Sequence, residues 1–486
     1  MSSGLMLELR NYIGGALRAS GSGRWFDTYE PAVGRVYART AQSDAHDVAA
    51  AVAAAQAAFP AWRDLPAAQR AAWLNRIADL IERDLEHFAR AESQDTGKPL
   101  TLARTLDIPR AIANLRFFAA AATQFASEAH AMEIGAINYT LRQPHGVVAG
   151  ISPWNLPLYL LTWKVAPALA TGNCVIAKPS EFTPLTATLL AERCIEAGLP
   201  AGVLGILQGP GGEVGQAVVV HPQVRAISFT GGTATGRHIA TAAAPQFKKL
   251  SLELGGKNPT VVFADADFDA AVEGAVRAAF TNQGEICLCG SRVLVERAIY
   301  GRFRDAFVER VRRLRVGDPL DPQTDQGAIV SSVHLEKVLS AIARARADGG
   351  RLLCGGERAR AGGERCREGW FMQPTVIDGL APECAANQEE IFGPVATLLP
   401  FEDENDALRI ANGTAYGLAA SIWSCDVERC HRVAARLESG LVWVNTWMLR
   451  DLRTPMGGVK QSGLGREGGW EAMRFFTEPR NVCVKY

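Results

Sequence analysis

Two cysteines one residue apart, Cys287 and Cys289, occur in the segment NQGEICLCG of residues 282–290. Such a pair can bind a metal, form a redox dithiol, lie buried in a core or supply a nucleophile. A structural zinc site needs further Cys or His ligands, and none stands close in sequence. A redox dithiol normally has two intervening residues ahead of a helix, whereas this pair has one. The polar, glycine-containing loop favours a functional site, although burial of both thiols stays open.

A nucleophilic thiol needs a base and a donor for the oxyanion that its attack creates. Glu253 of LELGGK ends a predicted strand before a Gly-Gly turn and is the candidate base, with a solvated turn residue as the alternative. Asn155 of PWNLP lies between prolines that restrict the backbone, so its amide could point into a cleft. An ordinary turn asparagine is the alternative there.

Two glycine-rich loops are candidates for phosphate binding. GPGGEVG (residues 209–215) follows a predicted strand, but its spacing is irregular and no acidic residue ends the next strand, as a dinucleotide fingerprint requires. FTGGTATG (residues 229–236) puts Gly231 and Gly232 between a strand and a helix start, where backbone N–H groups can face a pyrophosphate.

The elements around these residues alternate between strand and helix. Apolar spacing predicts helices over residues 43–93, capped by Ser43, and over 109–129, capped by Asp107. From residue 147 onward, short β-rich runs alternate with helical runs, which predicts an α/β fold with parallel sheets covered by helices. A second α/β series follows residue 255, and the chain ends in an alternating strand with no local partner.

Composition excludes several functional classes. The chain has 486 residues, which predicts two or three domains, and its formal net charge is +0, which argues against nucleic acid or an anionic membrane as a partner. The N-terminus does not resemble a secretory signal, and the most apolar stretch contains several prolines and Lys164. Ten scattered cysteines favour reduced thiols in the cytoplasm.

Seven motifs in order make the whole chain resemble the aldehyde dehydrogenase superfamily: PWNLP, KPSEFTP, FTGGTATG, LELGGK, NQGEICLCG, EEIFGPV and GGVKQSGLGREGG. The resemblance implies a Rossmann-like NAD-binding domain (1–125 and 145–254), an α/β catalytic domain (255–455) and a small β oligomerisation element (126–144 and 471–486). It also implies a homo-oligomer in which the tail strand pairs with another subunit.

The resemblance implies a role for each matching residue and no metal. Cys287 is the nucleophile, Asn155 holds the oxyanion, and Glu253 activates the water that hydrolyses the thioester, with Cys289 a bystander. The implied NAD contacts are Trp154, Lys178, Glu181, Gly231, Gly232, Glu390 and Phe392. A carboxylate at Glu181 would repel a 2′-phosphate and so favour NAD over NADP.

The segments DIPR, WMLRDLRTP and FFTEPRNVCVK are most similar to the branch that contains 2-aminomuconate and 2-hydroxymuconate semialdehyde dehydrogenases. Arg110, Arg450 and Arg453 fall in segments that line the family's substrate tunnel, and converging arginines could bind a substrate carboxylate. The expected reaction is oxidation of a carboxylate-bearing semialdehyde to the dicarboxylate. Another semialdehyde, an aromatic aldehyde, or a catalytically silent member of the fold are the alternatives.

Overall fold

The computed structural model describes residues 6–361 and 363–486. Two large sheets form its framework, with eight and seven strands. In spatial order, the strands of the eight-stranded sheet are Gly463–Leu464, Lys249–Glu253, Val224–Thr230, Val147–Ile151, Cys174–Lys178, Leu204–Ile206, Asn11–Ile13 and Ala16–Arg18. Those of the seven-stranded sheet are Arg351–Cys354, Thr375–Asp378, Val395–Phe401, Arg292–Glu296, Pro259–Val262, Ala419–Trp423 and Leu441–Val444.

The core of the eight-stranded sheet is parallel, which confirms the predicted α/β class. Its five central strands run from Lys249–Glu253 to Leu204–Ile206, and each pairs with its neighbours in parallel. Nearly continuous apolar runs such as VVAGI suit strands that helices cover on both faces. The register aligns Thr230 with Glu253 and Ile151 with Lys178, so the carboxyl ends of these strands meet at one edge. Ligands of open α/β sheets bind at this kind of edge.

The seven-stranded sheet is parallel except for its edge strand Arg351–Cys354, which runs antiparallel to Thr375–Asp378. A three-stranded sheet contains Leu7–Leu9, Arg35–Ala41 and Trp25–Glu30, in this spatial order. A two-stranded sheet pairs Tyr416–Gly417 with Val459–Lys460. A hydrophobic cluster of the first sheet and its helices includes Trp62, Phe118 and Trp163, and separate clusters lie on the two faces of the second sheet.

The α-helices of four or more residues cover these sheets and are Ala45–Asp64, Ala67–Arg83, Leu85–Thr96, Ile108–Ala122, Pro157–Ala170, Leu185–Ala197, Gln216–Val220, Thr233–Ala243, Phe268–Phe280, Tyr300–Arg312, Ser332–Ala347, Ala385–Gln388, Glu404–Asn412, Val427–Ala434 and Gly469–Phe475. A turn Leu100–Leu102 and a π-helical segment Ala103–Asp107 precede Ile108–Ala122, and a second π-helical segment, Gly211–Gly215, precedes Gln216–Val220. The short 3₁₀ segments are Ala244–Gln246, Thr281–Gly284 and Arg297–Ile299. Among the described residues no helix combines the length and the apolar character that crossing a membrane requires.

Three local expectations were wrong. Asp44 rather than Ser43 caps the first helix, because the Asp44 carboxylate accepts the N–H groups of His46 and Asp47 in a capping box. Asp107 caps no helix end with its side chain, since its carboxylate binds the buried Lys98 instead. The helix expected over 109–129 ends at Ala122. The alanine-rich sequence beyond Ala122 carries no stop signal other than Thr123, so periodicity alone overestimated the helix.

The tail strand Thr477–Lys485 pairs within its own chain. It lies antiparallel to Ala136–Pro144, which in turn pairs with Ala129–Met132. The expectation that the tail has no partner in its own chain was wrong because that partner lies more than 300 residues earlier. Pairing of the other edge of the tail strand with another subunit stays a prediction. The helix Gly469–Phe475 also occupies the beginning of the segment 471–486.

Candidate active site

Cys287 lies on a loop that follows the helix Phe268–Phe280. Asn282 and Gln283 open this loop with positive φ angles of 55° each, a left-handed conformation that is costly for residues other than glycine. The Asn258 amide then donates to the carbonyl oxygens of Cys287 (2.7 Å) and Cys289 (2.9 Å). Backbone strain held by such contacts is typical of functional loops.

The double glycine of LELGGK is required by close packing around this loop. A Cβ on Gly256 would lie 2.8 Å from the Cys287 carbonyl oxygen, and one on Gly255 would lie 2.4 Å from a Glu390 carboxylate oxygen. Neither position has room for a side chain. The two glycines therefore let the strand end carrying Glu253 approach both Cys287 and Glu390.

The two cysteines have different surroundings. Cys287 lines a cavity of about 210 Å³ together with Asn155 and Glu253. Cys289 packs in an apolar cluster with Trp443 and Trp447. Burial raises the pKa of both thiols, and a charge on Glu253 raises that of Cys287 further. The cavity therefore keeps Cys287 as a thiol that needs a proton acceptor before it can attack.

Glu253 ends its strand inside the same cavity and is 2% exposed. Burial raises the pKa of Glu253 to about 8, the charge of Glu467 adds to the rise, and Lys164 opposes it. Both carboxylate oxygens lack a hydrogen-bond partner within residues 6–361 and 363–486. A buried carboxyl with free oxygens and a pKa near neutrality has the properties of a general base.

A buried ion pair lies behind Glu253. Lys164 donates to Glu467 (2.7 Å) and to the Ser228 hydroxyl (3.1 Å), and that hydroxyl donates to Glu467 (3.0 Å). All three side chains are buried. The charge of Glu467 raises the pKa of Glu253, and the charge of Lys164 lowers it.

Asn155 is held from its side chain and from its backbone. Its amide nitrogen donates to the carbonyl oxygen of Glu285 (2.9 Å), while its own carbonyl oxygen accepts from Lys98 (2.8 Å) and Asn282 (3.3 Å). Because the Glu285 oxygen can only accept, the amide NH₂ must face it. One amide hydrogen is used there, and the second is available to a developing oxyanion in the cavity.

A second cleft of about 590 Å³ continues from the Cys287 cavity along the carboxyl edge of the sheet. Both glycine-rich loops line it, through Gly211–Gly215 and through Gly231 and Gly232. Gly232 precedes the helix Thr233–Ala243, whose first N–H groups have no side-chain cap, and no atom lies within 4 Å of where its Cβ would be. Free N–H groups at an open helix start suit an anionic phosphate.

Lys178 and Glu181 lie on the floor of this second cleft, where Lys178 donates to Glu181 (2.8 Å). Burial would raise the pKa of Glu181, but the charge of Lys178 and their hydrogen bond keep it below its usual value. Glu181 is therefore an anion at neutral pH. It would accept hydrogen bonds from ribose hydroxyls and repel a phosphate.

Glu390, Phe392 and Trp154 line the Cys287 cavity, and Trp154 also lines the second cleft. A Glu390 oxygen accepts the Gly256 N–H (2.9 Å), and burial raises the pKa of Glu390 to about 7. Phe392 has a positive φ of 59°, and its ring contacts Trp154 edge-on at 5.2 Å between centroids. The His334 ring contacts both aromatic rings and hydrogen-bonds the Phe392 carbonyl oxygen (2.6 Å).

Arg110 and Arg450 converge, whereas Arg453 does not. The guanidinium groups of Arg110 and Arg450 each lie 5.6 Å from the ring centroid of Trp163. In each arginine the Nε and one terminal nitrogen are buried and have no hydrogen-bond partner among the described residues. Arg453 is 80% exposed in its side chain and pairs with Asp451. The expectation that Arg453 lines a tunnel was wrong, because a nearby exposed aspartate satisfies it at the surface.

Sequence inspection missed several residues of this region. His334 and Lys337 line the Cys287 cavity, and Lys164 and Glu467 lie behind Glu253. Lys164 did carry a signal, because it is a lone charge in the helix Pro157–Ala170, whose residues are all buried. A lysine in such a helix must have a buried partner. His334 had no comparable signal.

Comparisons with known proteins agree with this geometry. Residues 17–482 match the aldehyde dehydrogenase family. The 2-aminomuconic semialdehyde dehydrogenase of Mus musculus is 49% identical over 99% of both chains. The 2-hydroxymuconic semialdehyde dehydrogenase of Pseudomonas sp. (strain CF600) is 47% identical over 99% of this chain and 100% of its own. The NAD+ complex of an aldehyde dehydrogenase from Bacillus cereus superposes with a TM-score of 0.96 at 38% identity, over 98% of this chain and 96% of that one. The chain belongs to the aldehyde dehydrogenase family.

Proposed function

We propose that the protein is an NAD-dependent dehydrogenase that oxidises 2-aminomuconate or 2-hydroxymuconate 6-semialdehyde to the corresponding dicarboxylate. The observation that carries the proposal is the convergence of Arg110 and Arg450, each with a buried Nε and one buried terminal nitrogen that lack a partner among the described residues. They occur in a member of the aldehyde dehydrogenase family that also resembles enzymes named for these two substrates.

In the first half of the reaction Cys287 is the nucleophile. Glu253 takes the proton of the thiol, and the thiolate attacks the aldehyde carbon to form a thiohemiacetal. The oxyanion accepts hydrogen bonds from the free amide hydrogen of Asn155 and from the Cys287 backbone N–H. NAD held in the second cleft would supply the hydride acceptor that the conversion of this thiohemiacetal to a thioester on Cys287 requires.

In the second half Glu253 acts as the base for a water molecule. After the thiol proton has passed to solvent, its carboxylate removes a proton from the water, which attacks the thioester carbon; the departing Cys287 thiolate takes that proton as the carboxylic acid is released. A pKa of about 8 suits this role, because the carboxyl can both accept and release a proton near neutral pH. The ion pair of Lys164 and Glu467 keeps the carboxyl in this range.

The second cleft supports NAD as the cofactor. Gly231, Gly232 and the start of the following helix would hold the pyrophosphate, Lys178 and Glu181 the adenosine ribose, and Glu390 the nicotinamide ribose, with Phe392 and Trp154 beside it. The buried Thr230 hydroxyl at this loop has no protein partner among the described residues, which suits a polar ligand. The anionic Glu181 favours NAD over NADP.

The arginine pair supports a substrate with a remote carboxylate. Burial lowers the pKa of Arg110, and the charge of Arg450 lowers it further. Two like charges that share a buried space are unfavourable unless an anion lies between them. A carboxylate can accept hydrogen bonds from both guanidinium groups and would relieve this repulsion.

Steady-state kinetics of Arg110→Ala and Arg450→Ala test this substrate assignment, with Arg453→Ala as the matched control. Losing a charge-assisted hydrogen bond of about 1.5–3 kcal/mol should raise KM for 2-hydroxymuconate 6-semialdehyde about 10-fold to 100-fold. KM for a neutral aliphatic aldehyde should change little, and Arg453→Ala should resemble the wild type. Equal effects on both substrates would refute the carboxylate assignment and favour another semialdehyde or an aromatic aldehyde.

We further propose that residues 1–125 and 145–254 form an NAD-binding domain, residues 255–455 a catalytic domain, and residues 126–144 and 471–486 a β oligomerisation element. We also propose that the protein is a homo-oligomer and that it is located in the cytoplasm. Exposed apolar side chains on the small sheet, including Ile137, Leu141 and Val484, support self-association. So does the Leu441–Val444 strand, which has no neighbour on one side among the described strands.

A further inference from the structure

Lys98 is buried completely although it carries a charge. It follows the helix Leu85–Thr96, which ends at Gly97 in a left-handed conformation with φ of 79°. A Cβ on Gly97 would lie 2.9 Å from Ala328, so the turn is tightly packed. This turn directs the next side chain, that of Lys98, inward beneath the candidate active site.

The Lys98 ammonium group makes one ion pair and one backbone contact. It donates to the Asp107 carboxylate and, at 2.8 Å, to the carbonyl oxygen of Asn155. Glu92 also lies near this group, and burial raises the pKa of both Glu92 and Asp107, but Asp107 is the carboxyl that accepts a hydrogen bond from Lys98. A lysine needed only for stability would be satisfied by buried carboxyls and would not need to contact the candidate oxyanion donor.

The hydrogen bond from Lys98 belongs to a network that holds both the backbone carbonyl group and the side-chain amide of Asn155. Asn282 donates to the same carbonyl oxygen and also to that of Glu285 (3.2 Å), and Glu285 in turn accepts the Asn155 side-chain amide. Lys98 provides the shortest contact and the only charged donor to that oxygen among the described residues. The direction of the Asn155 amide hydrogen therefore depends on where Lys98 holds the backbone.

We infer that Lys98 is a positioning residue for the oxyanion, acting through Asn155. The inference rests on the proposed function, in which Asn155 holds the oxyanion. A charge-assisted hydrogen bond fixes the backbone more firmly than a neutral one. A misplacement of about 1 Å in a catalytic donor can lower the rate about 100-fold. Lys98 itself touches neither the substrate nor the reacting atoms.

The key comparison is between Asp107→Asn and the double variant Lys98→Met/Asp107→Asn. Both lose the buried ion pair, but only the double variant loses the donor to the Asn155 carbonyl oxygen. The asparagine leaves no unpaired buried carboxylate, which protects the double variant against unfolding. Asp107→Asn should lose less than about threefold in kcat, since Lys98 can still donate to both oxygens. The double variant should lose about 10-fold to 100-fold in the rate of the NADH burst.

Three readouts separate positioning from general damage. The dissociation constant of NAD, measured by fluorescence, and the rate of Cys287 alkylation by iodoacetamide should stay within about twofold of Asp107→Asn, because neither depends on an oxyanion. In an Asn155→Ala/Asp107→Asn background the Lys98→Met change should cause no further loss, since Lys98 and Asn155 act through one donor. If the double variant does not fold, Lys98→Met/Asp107→Leu, which replaces the ion pair by two apolar side chains, takes its place and is judged by the same criteria.

The outcomes also distinguish the inference from the proposed function. Full burst activity of the folded double variant, or additive losses with Asn155→Ala, would overturn the role of Lys98 and leave the role of Asn155 intact. Full activity of Asn155→Ala alone would instead overturn the proposed oxyanion donor, and with it the basis of the inference.

Discussion

Replacing Glu253 with Gln should stabilise the protein at neutral pH while it stops turnover. In the unfolded chain a glutamate has its ordinary pKa of 4.5, whereas burial raises the pKa of Glu253 to about 8 in the folded protein. The folded state therefore binds more protons than the unfolded state between these values. Stability that is present below pH 4.5 is lost as pH rises toward 8. A glutamine has no charge to bury and loses nothing over this range.

The size of the effect follows from the pKa shift. Each unit of pKa corresponds to about 1.4 kcal/mol, so the free energy of unfolding of the wild type should fall by about 3 kcal/mol relative to Glu253→Gln between pH 5.5 and 7.5. An unfolding entropy of about 2 cal/mol/K per residue converts this into a difference of about 3 °C in Tm for a chain of this length. An unpaired glutamine amide lowers the stability of the variant by an amount that does not change with pH. The prediction therefore concerns how the difference in stability between the two proteins changes with pH.

Thermal unfolding of both proteins without NAD at pH 5.5, 6.5 and 7.5 measures this slope. Glu383→Gln, at a side chain that is 74% exposed, controls for the loss of one carboxylate at the surface. A difference in Tm that grows with pH for Glu253→Gln alone is expected. The same variant should form NADH only slowly in a first turnover and then stop, because both the Cys287 thiol and the hydrolytic water lack their base. A constant difference in Tm across this range would refute the assignment of Glu253 as a neutral buried carboxyl.

Two other predictions concern the same cavity. Cys289→Ala should retain nearly full turnover with wild-type KM, and Cys287→Ala should lose all NADH production from aldehydes; substantial turnover by Cys287→Ala would exclude Cys287 as the nucleophile. In wild-type kinetics from pH 6.5 to 9, KM for a carboxylate-bearing semialdehyde should rise as Glu253 and Glu390 ionise above their pKa values of about 8 and 7. KM for a neutral aldehyde should stay nearly constant, and parallel curves for the two substrates would contradict the electrostatic argument.

Patterns local in sequence predicted most of the architecture. The parallel sheet followed from short apolar runs separated by helices, and this also indicated which loops would meet at its carboxyl edge. Asn155 and Glu253 come from this edge and Cys287 from a loop after the helix Phe268–Phe280, and the three line one cavity. Their chemical roles stay predictions, because geometry alone does not test them.

Pairings between distant segments could not be predicted in this way. The Lys164–Glu467 pair joins residues 303 positions apart, and the tail strand finds its partner at a similar separation. Arg453 and Arg450 looked equivalent in sequence, yet Asp451 satisfies only Arg453. Such choices depend on which partner lies nearest in three dimensions, and a single sequence contains no signal for that.

Burial gives this cavity an electrostatic character that suits an anionic substrate. It raises the pKa values of Glu253, Glu285 and Glu390, so much of the negative charge that three carboxyls could carry is absent near neutral pH. The Arg110 guanidinium keeps its charge, because an arginine stays protonated even when burial lowers its pKa. Arg110 and Arg450 converge at Trp163, outside the lining of the Cys287 cavity, so a remote carboxylate bound there would leave the aldehyde end beside largely neutral carboxyls. The burial that gives Glu253 a pKa suited to a general base thus also removes the repulsion that would exclude a carboxylate-bearing semialdehyde.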